Sequence, residues 1–399
     1  MTRSDAIIAQ SERYSAHNYH PLPVVIERGE GAWVWDADGR KYLDCLSAYS
    51  AVNQGHCHPK IIAALEEQAR KITITSRAFH NTRMGAFLEK LCQLAEMDLA
   101  LPMNTGAEAV ETAVKAARKW GYEVKGVPDN EAEIIVCSQN FHGRTMAAVS
   151  ASSEASYRRH FGPFIPGFKW VPLGDLEALR NAITENTVAF IMEPIQGEGG
   201  IIIPPDGYLR AAKQLCHDED VLFVLDEIQT GLARTGEIFC HQHEEGAKPD
   251  MLIVGKALGG GVYPVSAVLS SNDILGLFQP GDHGSTFGGN PLGAAVGEAA
   301  LDVIVDEELA KRSKELGDYL IEELRAINTV QVEEIRGRGL FIGVEIRKSC
   351  GHARPFCEEL MKLGVLTKET HEQVIRLAPP LVIEKSEIDW LVAQFRKVL

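Results

Sequence analysis

Two residues with complementary chemistry follow predicted strands and are separated by 30 positions. Asp226 comes directly after the apolar run Val221–Leu225, and Lys256 follows Met251–Val254 and one glycine. A lysine amine beside an apolar strand end loses solvation, so its pKa falls and it becomes a nucleophile or a former of Schiff bases. A carboxylate on a neighbouring strand end is the partner that a pyridinium nitrogen requires. Either residue alone favours a surface lysine or a capping aspartate, and only the combination points to a reactive site.

A candidate anion site opens the helix predicted over Ala107–Trp120. Gly106 allows a ligand to approach the backbone closely, and the free N–H groups of Gly106 and Ala107 would point at an anion. The same stretch also fits an ordinary capping box formed by Thr105 and Glu108. Both interpretations can hold together, and this segment is a weak signal by itself.

Two further segments carry side chains that suit a flat, charged ligand. Phe141, which follows the predicted strand at Cys137, could stack on a ring, and Arg144 could bind a carboxylate. The glycine-rich loop 284–291 supplies hydroxyl groups that suit a phosphate. Taken alone, these segments are better explained by a core aromatic residue, a solvated arginine and a flexible surface turn.

Histidines occur in two clusters that resemble metal ligands. His56-Cys57-His58 and the stretch with His241, His243 and Glu244 contain suitable donors, but neither has a recognised zinc spacing. We therefore interpret these histidines as structural or solvated, and a metal hydrolase is a distant alternative.

The elements that position these residues alternate between short apolar runs and segments of helical length. Strands rich in Val, Ile and Leu with this spacing indicate an α/β fold with a buried, mainly parallel sheet. Ligands of such sheets lie at the carboxyl ends of the strands, which is where Asp226 and Lys256 fall. The predicted strands are Leu99–Met103, Glu133–Cys137, Phe168–Val171, Val188–Met192, Val221–Leu225, Met251–Val254 and Val265–Leu269.

The two ends of the chain have a different pattern. A small antiparallel meander is predicted over Val24–Arg28, Ala32–Asp36 and Arg40–Asp44, separated by glycines and an Asp-Gly turn. After Pro291 we expect helices and then strands of a smaller unit, over Glu298–Val305, Leu309–Ile327, Gly339–Ile346 and Gln373–Leu377. The predicted division is an N-terminal segment 1–49, a large α/β domain 50–295 and a C-terminal small domain 296–399.

Composition limits the class of protein. The 399 residues include 40 basic and 55 acidic side chains, a net charge of -15 that opposes binding to nucleic acid. The eight cysteines form no C-x-x-C pair and are expected to be free thiols. The first residues contain no secretory signal and no apolar run spans a bilayer, so we expect a cytoplasmic protein without a membrane partner.

Three motifs resemble those of the class III aminotransferases, which depend on pyridoxal 5′-phosphate. They are LDEIQTGLARTG at Leu225–Gly236, GKALGGG at Gly255–Gly261 and GSTFGGNPLG at Gly284–Gly293, and the resemblance runs from about Asn18 to Leu381. It implies the fold type I architecture of pyridoxal phosphate-dependent transferases, with a large, mainly parallel sheet domain and a smaller α+β domain built from both termini. It also implies a homodimer with active sites at the interface.

A narrower likeness, to members of this family that act on the δ-amine of L-ornithine, rests on five more segments. These are NYHPLP at Asn18–Pro23, SAYSAVNQGHCHP at Ser47–Pro59, SRAF at Ser76–Phe79, PMNTGAE at Pro102–Glu108 and IRLAPPL at Ile375–Leu381. The likeness implies that ornithine and 2-oxoglutarate are converted to glutamate 5-semialdehyde, which cyclises to pyrroline-5-carboxylate, and glutamate.

The resemblance also implies roles at matching positions. For the cofactor, Lys256 would bind it covalently, Asp226 would bond to the pyridine nitrogen, and Gln229 would bond to the ring hydroxyl. Phe141 and Ile228 would stack on the ring. Gly106 and Ala107 would bind the phosphate, together with Thr286 from the partner subunit. For the substrates, Tyr19 and Arg144 would bind the α-carboxylate end of ornithine, and Tyr49 would form a wall of the pocket. Arg376 would bind the α-carboxylate of 2-oxoglutarate or glutamate, and Glu198 would pair with Arg376 while ornithine is bound.

The sequence departs from the family pattern at a few positions, and none removes a reacting group. His142 stands where some relatives have tryptophan, Gly199 where an alanine is usual, and Gly259 where a serine is frequent. Two alternatives stay open. One is another ω-aminotransferase of this class, acting on acetylornithine, 4-aminobutyrate or a diamine, and Tyr19 would discriminate it. The other is a transcription regulator on the same fold, which would require an added helix-turn-helix domain and a basic face.

Overall fold

The computed structural model describes residues 2–399, which form fifteen strands and fourteen α-helices. The strands are β1 (Ile26–Glu30), β2 (Trp33–Asp36), β3 (Lys41–Asp44), β4 (Leu99–Met103), β5 (Glu133–Cys137), β6 (Phe168–Val171), β7 (Thr187–Met192), β8 (Leu222–Asp226), β9 (Met251–Val254), β10 (Ser266–Ser270), β11 (Val332–Arg338), β12 (Phe341–Ile346), β13 (Val365–Leu366), β14 (Lys368–Thr370) and β15 (Val374–Leu377). The helices are α1 (Arg3–Tyr14), α2 (Ser47–Ser50), α3 (Pro59–Ala69), α4 (Met84–Ala95), α5 (Gly106–Trp120), α6 (Met146–Ser150), α7 (Ala155–Arg158), α8 (Leu176–Ala182), α9 (Tyr208–Asp218), α10 (Asn272–Leu275), α11 (Pro291–Asp306), α12 (Leu309–Arg325), α13 (Ala353–Lys362) and α14 (Lys385–Val398).

A seven-stranded sheet with the order β4-β10-β9-β8-β7-β5-β6 forms the centre of the chain. Strands β6, β5, β7, β8 and β9 are parallel neighbours, whereas β10 runs antiparallel to both β9 and β4. The predicted α/β fold with a mainly parallel sheet is therefore confirmed, and each of the seven predicted strands is present within one residue of its expected start.

The central sheet is buried on both faces because helices cover it. Alternate residues of β8 pack in opposite directions: Phe223 and Leu225 lie in the cluster that contains α9, and Val224 lies in the cluster that contains α5. All residues of β8, β9 and β10 are buried, as expected for the strands of a sheet that helices cover on both faces. This layering leaves the carboxyl edge of the sheet as the place where polar side chains meet.

The N-terminal meander is also present, and it is extended by a strand from the far end of the chain. Strands β1, β2 and β3 are antiparallel, and β13 pairs in parallel with β3 through Val365 and Leu43. A third sheet, with the order β11-β12-β15-β14, is entirely antiparallel and carries Arg376 on β15. Residues from both ends of the chain are thus joined by backbone hydrogen bonds. Within residues 2–399, no helix is both long and apolar enough to cross a bilayer.

Candidate active site

Asp226 and Lys256 meet at the carboxyl edge of the central sheet. Asp226 is the last residue of β8, and Lys256 lies two positions after β9, the parallel neighbour of β8. Both side chains line a cavity of about 200 Å³. The other residues lining this cavity are Gly106, Ala107, Phe141, His142, Gly143, Glu193, Ile195, Ile228, Gln229 and Thr230.

Lys256 combines a strained backbone with a desolvated amine. Its φ of +43° lies in the left-handed region, which a residue with a side chain rarely adopts and which is concentrated at functional sites. Burial lowers the pKa of the Lys256 amine, and the carboxylates of Glu198 and Asp226 oppose that shift only in part. A larger fraction of this amine is therefore neutral and nucleophilic than for an ordinary lysine at the same pH.

Asp226 is held in one orientation by two hydrogen bonds. Its Oδ1 accepts from the backbone N–H of Ile228 at 3.1 Å, and its Oδ2 accepts from His142 Nδ1 at 2.7 Å. Burial disfavours a charged His142, but the hydrogen bond and the negative charge of Asp226 outweigh it, so the pKa of His142 is raised. His142, one of the three departures from the family pattern, thus contacts the carboxylate at the centre of the site.

Glu193 is a second buried carboxylate that the sequence analysis missed. It directly follows β7 and accepts from the backbone N–H of Phe141 at 3.0 Å and from that of Gly197 at 3.3 Å. Burial raises the pKa of Glu193 to about 7. The signal that singled out Asp226, a carboxylate at the end of a buried strand, was present here as well.

The start of α5 forms another wall of the cavity. The predicted capping box is present: Glu108 donates its backbone N–H to Thr105 Oγ1 at 3.2 Å, and its side chain accepts from the N–H of Thr105 at 2.7 Å. The N–H groups of Gly106 and Ala107, at the first two positions of the helix, have no acceptor within it and are suited to an anion. A Cβ atom on Gly106 would lie 2.9 Å from Ile228 Cδ1, so a side chain here would displace the end of Ile228.

The chemistry of this cavity fits a flat ring that carries an anionic group. Phe141 and Ile228 supply the apolar surfaces, and the start of α5 supplies donors for the anion. Among residues 2–399, buried polar atoms without a hydrogen-bond partner include three at this cavity, on His142 (Nε2), Gln229 (Oε1) and Thr230 (Oγ1). Because buried polar groups are normally paired, these atoms are consistent with bonds to a bound ligand.

Arg376 and Glu198 form an ion pair near Lys256. Arg376 is 1% exposed, and its Nη2 donates to Glu198 Oε1 at 2.7 Å, to the Gly197 carbonyl oxygen at 3.2 Å and to Thr370 Oγ1 at 3.2 Å. Burial disfavours a charged Glu198, but the positive charges of Arg376 and Lys256 and the hydrogen bonds from Arg376 and Gln229 together outweigh it and lower the pKa of that carboxyl. Arg376 Nε and Nη1 are buried and have no partner, so the guanidinium has N–H groups left to donate to a ligand.

None of the five expected substrate residues lines the cavity that contains Lys256. Tyr19 and Tyr49 line a different cavity, of about 380 Å³, and the Tyr19 residue is 76% exposed. The Tyr49 ring lies 5.3 Å from the guanidinium carbon of Arg376. Arg144 is exposed and lies 3.8 Å above the ring of Tyr157.

Thr286 lies in the exposed loop before α11 and does not line either cavity of this chain. The candidate metal ligands pair with carboxylates instead. His241 Nδ1 donates to Glu227 Oε1 at 2.8 Å, and His56 Nε2 donates to Asp44 Oδ2 at 2.8 Å.

Comparisons with known proteins identify the relatives of this chain. The family described as Aminotransferase class-III matches residues 14–399. An ornithine aminotransferase of Geobacillus sp. (strain WCH70) is 61% identical over 398 residues, covering 100% of this chain and 99% of that protein.

Solved structures agree in fold. The ornithine aminotransferase from Toxoplasma gondii ME49 has a TM-score of 0.98 and 43% identity, covering 100% of this chain and 95% of that chain. An acetylornithine aminotransferase from Elizabethkingia anophelis has a TM-score of 0.89 and 47% identity, covering 100% of this chain and 99% of that chain. The fold is therefore shared by proteins whose substrates differ, and the substrate must be argued from the site.

Proposed function

The chain belongs to the class III aminotransferases, and from this premise we propose that it transfers the δ-amino group of L-ornithine to 2-oxoglutarate. The products are glutamate 5-semialdehyde, which cyclises to pyrroline-5-carboxylate, and glutamate. The observation that carries this proposal is the ion pair of buried Arg376 with half-buried Glu198 beside Lys256. This pair allows one site to take a substrate end without a carboxylate and a substrate end with one. The 61% identity to an ornithine aminotransferase supports the same substrate.

Pyridoxal 5′-phosphate is the cofactor of this family, and the cavity of about 200 Å³ has the chemistry that it requires. When bound, it supplies an aldehyde that condenses with amines and a protonated ring that accepts electrons. The residues that would hold it are Lys256, Asp226, Phe141, Ile228, Gln229, Gly106 and Ala107, with Thr286 of the partner subunit.

Lys256 and Asp226 would do the chemical work of the protein itself. Lys256 Nζ, with its pKa lowered by burial, can take a proton from the carbon that bears the reacting amine and return it later. Asp226, fixed by Ile228 and His142, would keep the ring nitrogen of the cofactor protonated. These two tasks require the two groups to stay at the same edge of the sheet.

Arg376 and Glu198 would decide which end of a substrate enters. While Glu198 neutralises Arg376, the inner end of the site favours the δ-amine of ornithine, whose carboxylate then remains outside with Tyr19 and Arg144. A dicarboxylate such as 2-oxoglutarate replaces Glu198 on Arg376 and is held by two parallel N–H bonds. The unpaired Nε and Nη1 of Arg376 support this exchange.

Replacing Glu198 with alanine is expected to shift the reaction from the δ-amine toward the α-amine of ornithine. Without Glu198, the free Arg376 attracts the α-carboxylate inward, so kcat/KM for the δ-amine falls about tenfold. The products identify the end that reacted, because δ-transfer yields pyrroline-5-carboxylate and α-transfer yields pyrroline-2-carboxylate. Glu198→Gln, which keeps the size without the charge, is the matched control for packing. An unchanged product ratio in Glu198→Ala would rule out the charge exchange.

An amino-donor panel tests the substrate directly. Purified protein loaded with pyridoxal phosphate is given ornithine, acetylornithine, 4-aminobutyrate or a diamine, each with 2-oxoglutarate. Pyrroline-5-carboxylate formed from ornithine, with a higher kcat/KM than for any other donor, is the expected result. The second candidate is acetylornithine, which the 47% identity to the acetylornithine enzyme favours, and preference for that donor would replace our proposal.

A homodimer with sites at the interface, a cytoplasmic location and the division into segments 1–49, 50–295 and 296–399 complete the proposal. Thr286 supports the dimer, because this exposed hydroxyl is outside its own chain's cavity. Sedimentation of the active, loaded protein is expected to give twice the chain mass, and a fully active monomer would contradict it. Either proline synthesis or arginine breakdown could use the reaction.

A further inference from the structure

Helix α2 is a single turn with an uncommon backbone. Its four residues, Ser47, Ala48, Tyr49 and Ser50, have φ values of 49°, 47°, 62° and 71°, and none of them is glycine. These values lie in the left-handed helical region of the backbone. Residues with a Cβ atom adopt that conformation at an energetic cost, and usually as single residues. Such a turn persists only where neighbouring groups hold it in place.

The turn places one aromatic ring against the guanidinium of the candidate substrate site. The centroid of the Tyr49 ring lies 5.3 Å from the guanidinium carbon of Arg376, within the range of a cation–π contact. Lys368 Nζ lies 6.0 Å from the same ring. Because Arg376 is buried, this contact limits the directions in which its free N–H groups can point.

The Asp44 carboxylate holds the start of the turn through hydrogen bonds. Its Oδ1 accepts from the backbone N–H groups of Leu46 and Ser47, both at 2.9 Å, and its Oδ2 accepts from His56 Nε2 at 2.8 Å. Asp44 is 7% exposed, so these bonds form where water competes little. Both oxygens of one carboxylate are therefore used to fix the entry to the turn.

The same stretch of chain is tied to the strand that carries Arg376. The Cys45 N–H donates to the carbonyl oxygen of Leu366 at 2.8 Å, and the Ala378 N–H donates to the carbonyl oxygen of Cys45 at 2.7 Å. Ala378 lies two residues after Arg376. The segment before the turn and the strand that carries Arg376 are thus joined by backbone hydrogen bonds, and the conformation of the turn sets where Tyr49 lies relative to Arg376.

We propose that Asp44 and His56 are positioning residues, which hold the left-handed turn so that Tyr49 orients Arg376 for the carboxylate of the amino acceptor. This inference rests on the proposed function. It assigns specificity for the dicarboxylate to two residues outside both the cofactor cavity and the Arg376–Glu198 pair. Ornithine, whose amine enters while Glu198 occupies Arg376, depends less on the orientation of Arg376.

The decisive experiment compares Asp44→Ala and His56→Leu with Asp36→Ala as a matched control. Asp36 is 8% exposed and caps a turn of the same sheet in the same way. Its Oδ1 accepts from the N–H groups of Asp38 at 3.0 Å and Arg40 at 2.8 Å, and its Oδ2 accepts from the Tyr42 hydroxyl at 2.9 Å. Asp36→Ala should therefore lower the stability of the protein by a comparable amount without changing the position of Tyr49.

Two measurements read the orientation of Arg376. In Asp44→Ala and His56→Leu, KM for 2-oxoglutarate is expected to rise about tenfold, while KM for ornithine changes less than about twofold. Calorimetric binding of glutarate, an unreactive dicarboxylate, should weaken by the same factor. Asp36→Ala should alter neither quantity, and His56→Gln, which can still donate to Asp44, should restore most of the loss.

Each outcome decides the question. If His56→Leu and Asp44→Ala leave the ratio of the two KM values as in Asp36→Ala, the positioning role is wrong. If Asp44→Ala does not fold, His56→Leu and its rescue by His56→Gln decide alone. If the unaltered protein does not convert ornithine, the proposed function fails, whereas glutarate binding still tests the contact between the turn and Arg376.

Discussion

Replacing Lys256 with alanine is expected to abolish turnover, with a fall in kcat of at least about 10³-fold from loss of the general base alone. The amine lies in the cavity with its pKa lowered by burial, and Asp226 lies at the end of the neighbouring strand. The variant loses both the group that bonds the cofactor and the group that moves the proton. The visible absorbance of lysine-bound cofactor should disappear as well.

Lys248→Ala is the matched control for this variant. Lys248 is an exposed lysine whose side chain lies near Glu96, outside the lining of the cavity. Its replacement should leave the visible spectrum and the rate unchanged. A small primary amine added to Lys256→Ala should restore part of the rate, because it can move the proton in place of Nζ. Normal turnover of Lys256→Ala would overturn the proposed function.

The sequence predicted the parts of this site that depend on local pattern. Asp226 and Lys256 were found because each follows a strongly apolar run, and the parallel pairing of β8 with β9 brings such ends together. The capping box at Thr105 and Glu108 was readable for the same reason, since its two members are three residues apart. The positions of the strands followed from their burial on both faces.

The local sequence pattern does not predict contacts between segments that are distant in the chain. The antiparallel direction of β10 and the pairing of β13 with β3 join residues that no local spacing relates. The pairing of Arg376 with Glu198 came only from family resemblance. The left-handed turn at Tyr49 could not be anticipated, because none of its four residues is a glycine that would mark positive φ.

The missed role of His142 shows a different limit. A buried histidine can fill space or hold a charge, and the sequence around it is the same in both cases. What decides is the atom opposite Nδ1, which here is the carboxylate of Asp226 at 2.7 Å. The second large effect that we predict concerns this pair.

Asp226→Asn is expected to lower kcat/KM by about 10³-fold, because an amide cannot hold a proton on a ring nitrogen as a carboxylate does. The loss of electron-accepting power acts on the transition state, so kcat should fall while KM changes little. Asp250→Asn is the control, because Asp250 precedes β9 at the opposite edge of the sheet and its Oδ2 accepts from the Phe223 N–H. Retention of kcat by Asp226→Asn would contradict the role of the carboxylate.

The ion pair of His142 with Asp226 makes the stability of the folded protein depend on pH. The pKa of His142 is raised in the folded protein, so its ion pair with Asp226 contributes stability below the pKa of an unfolded histidine, and this contribution is lost as the pH rises through the raised value. Thermal unfolding between mildly acidic and alkaline pH should therefore show a step that His142→Leu removes. In that variant the carboxyl group of Asp226 is retained but loses the donor that fixes Oδ2, so kcat should fall less than in Asp226→Asn. A fall as large as that of Asp226→Asn would mean that His142 does more than position the carboxylate.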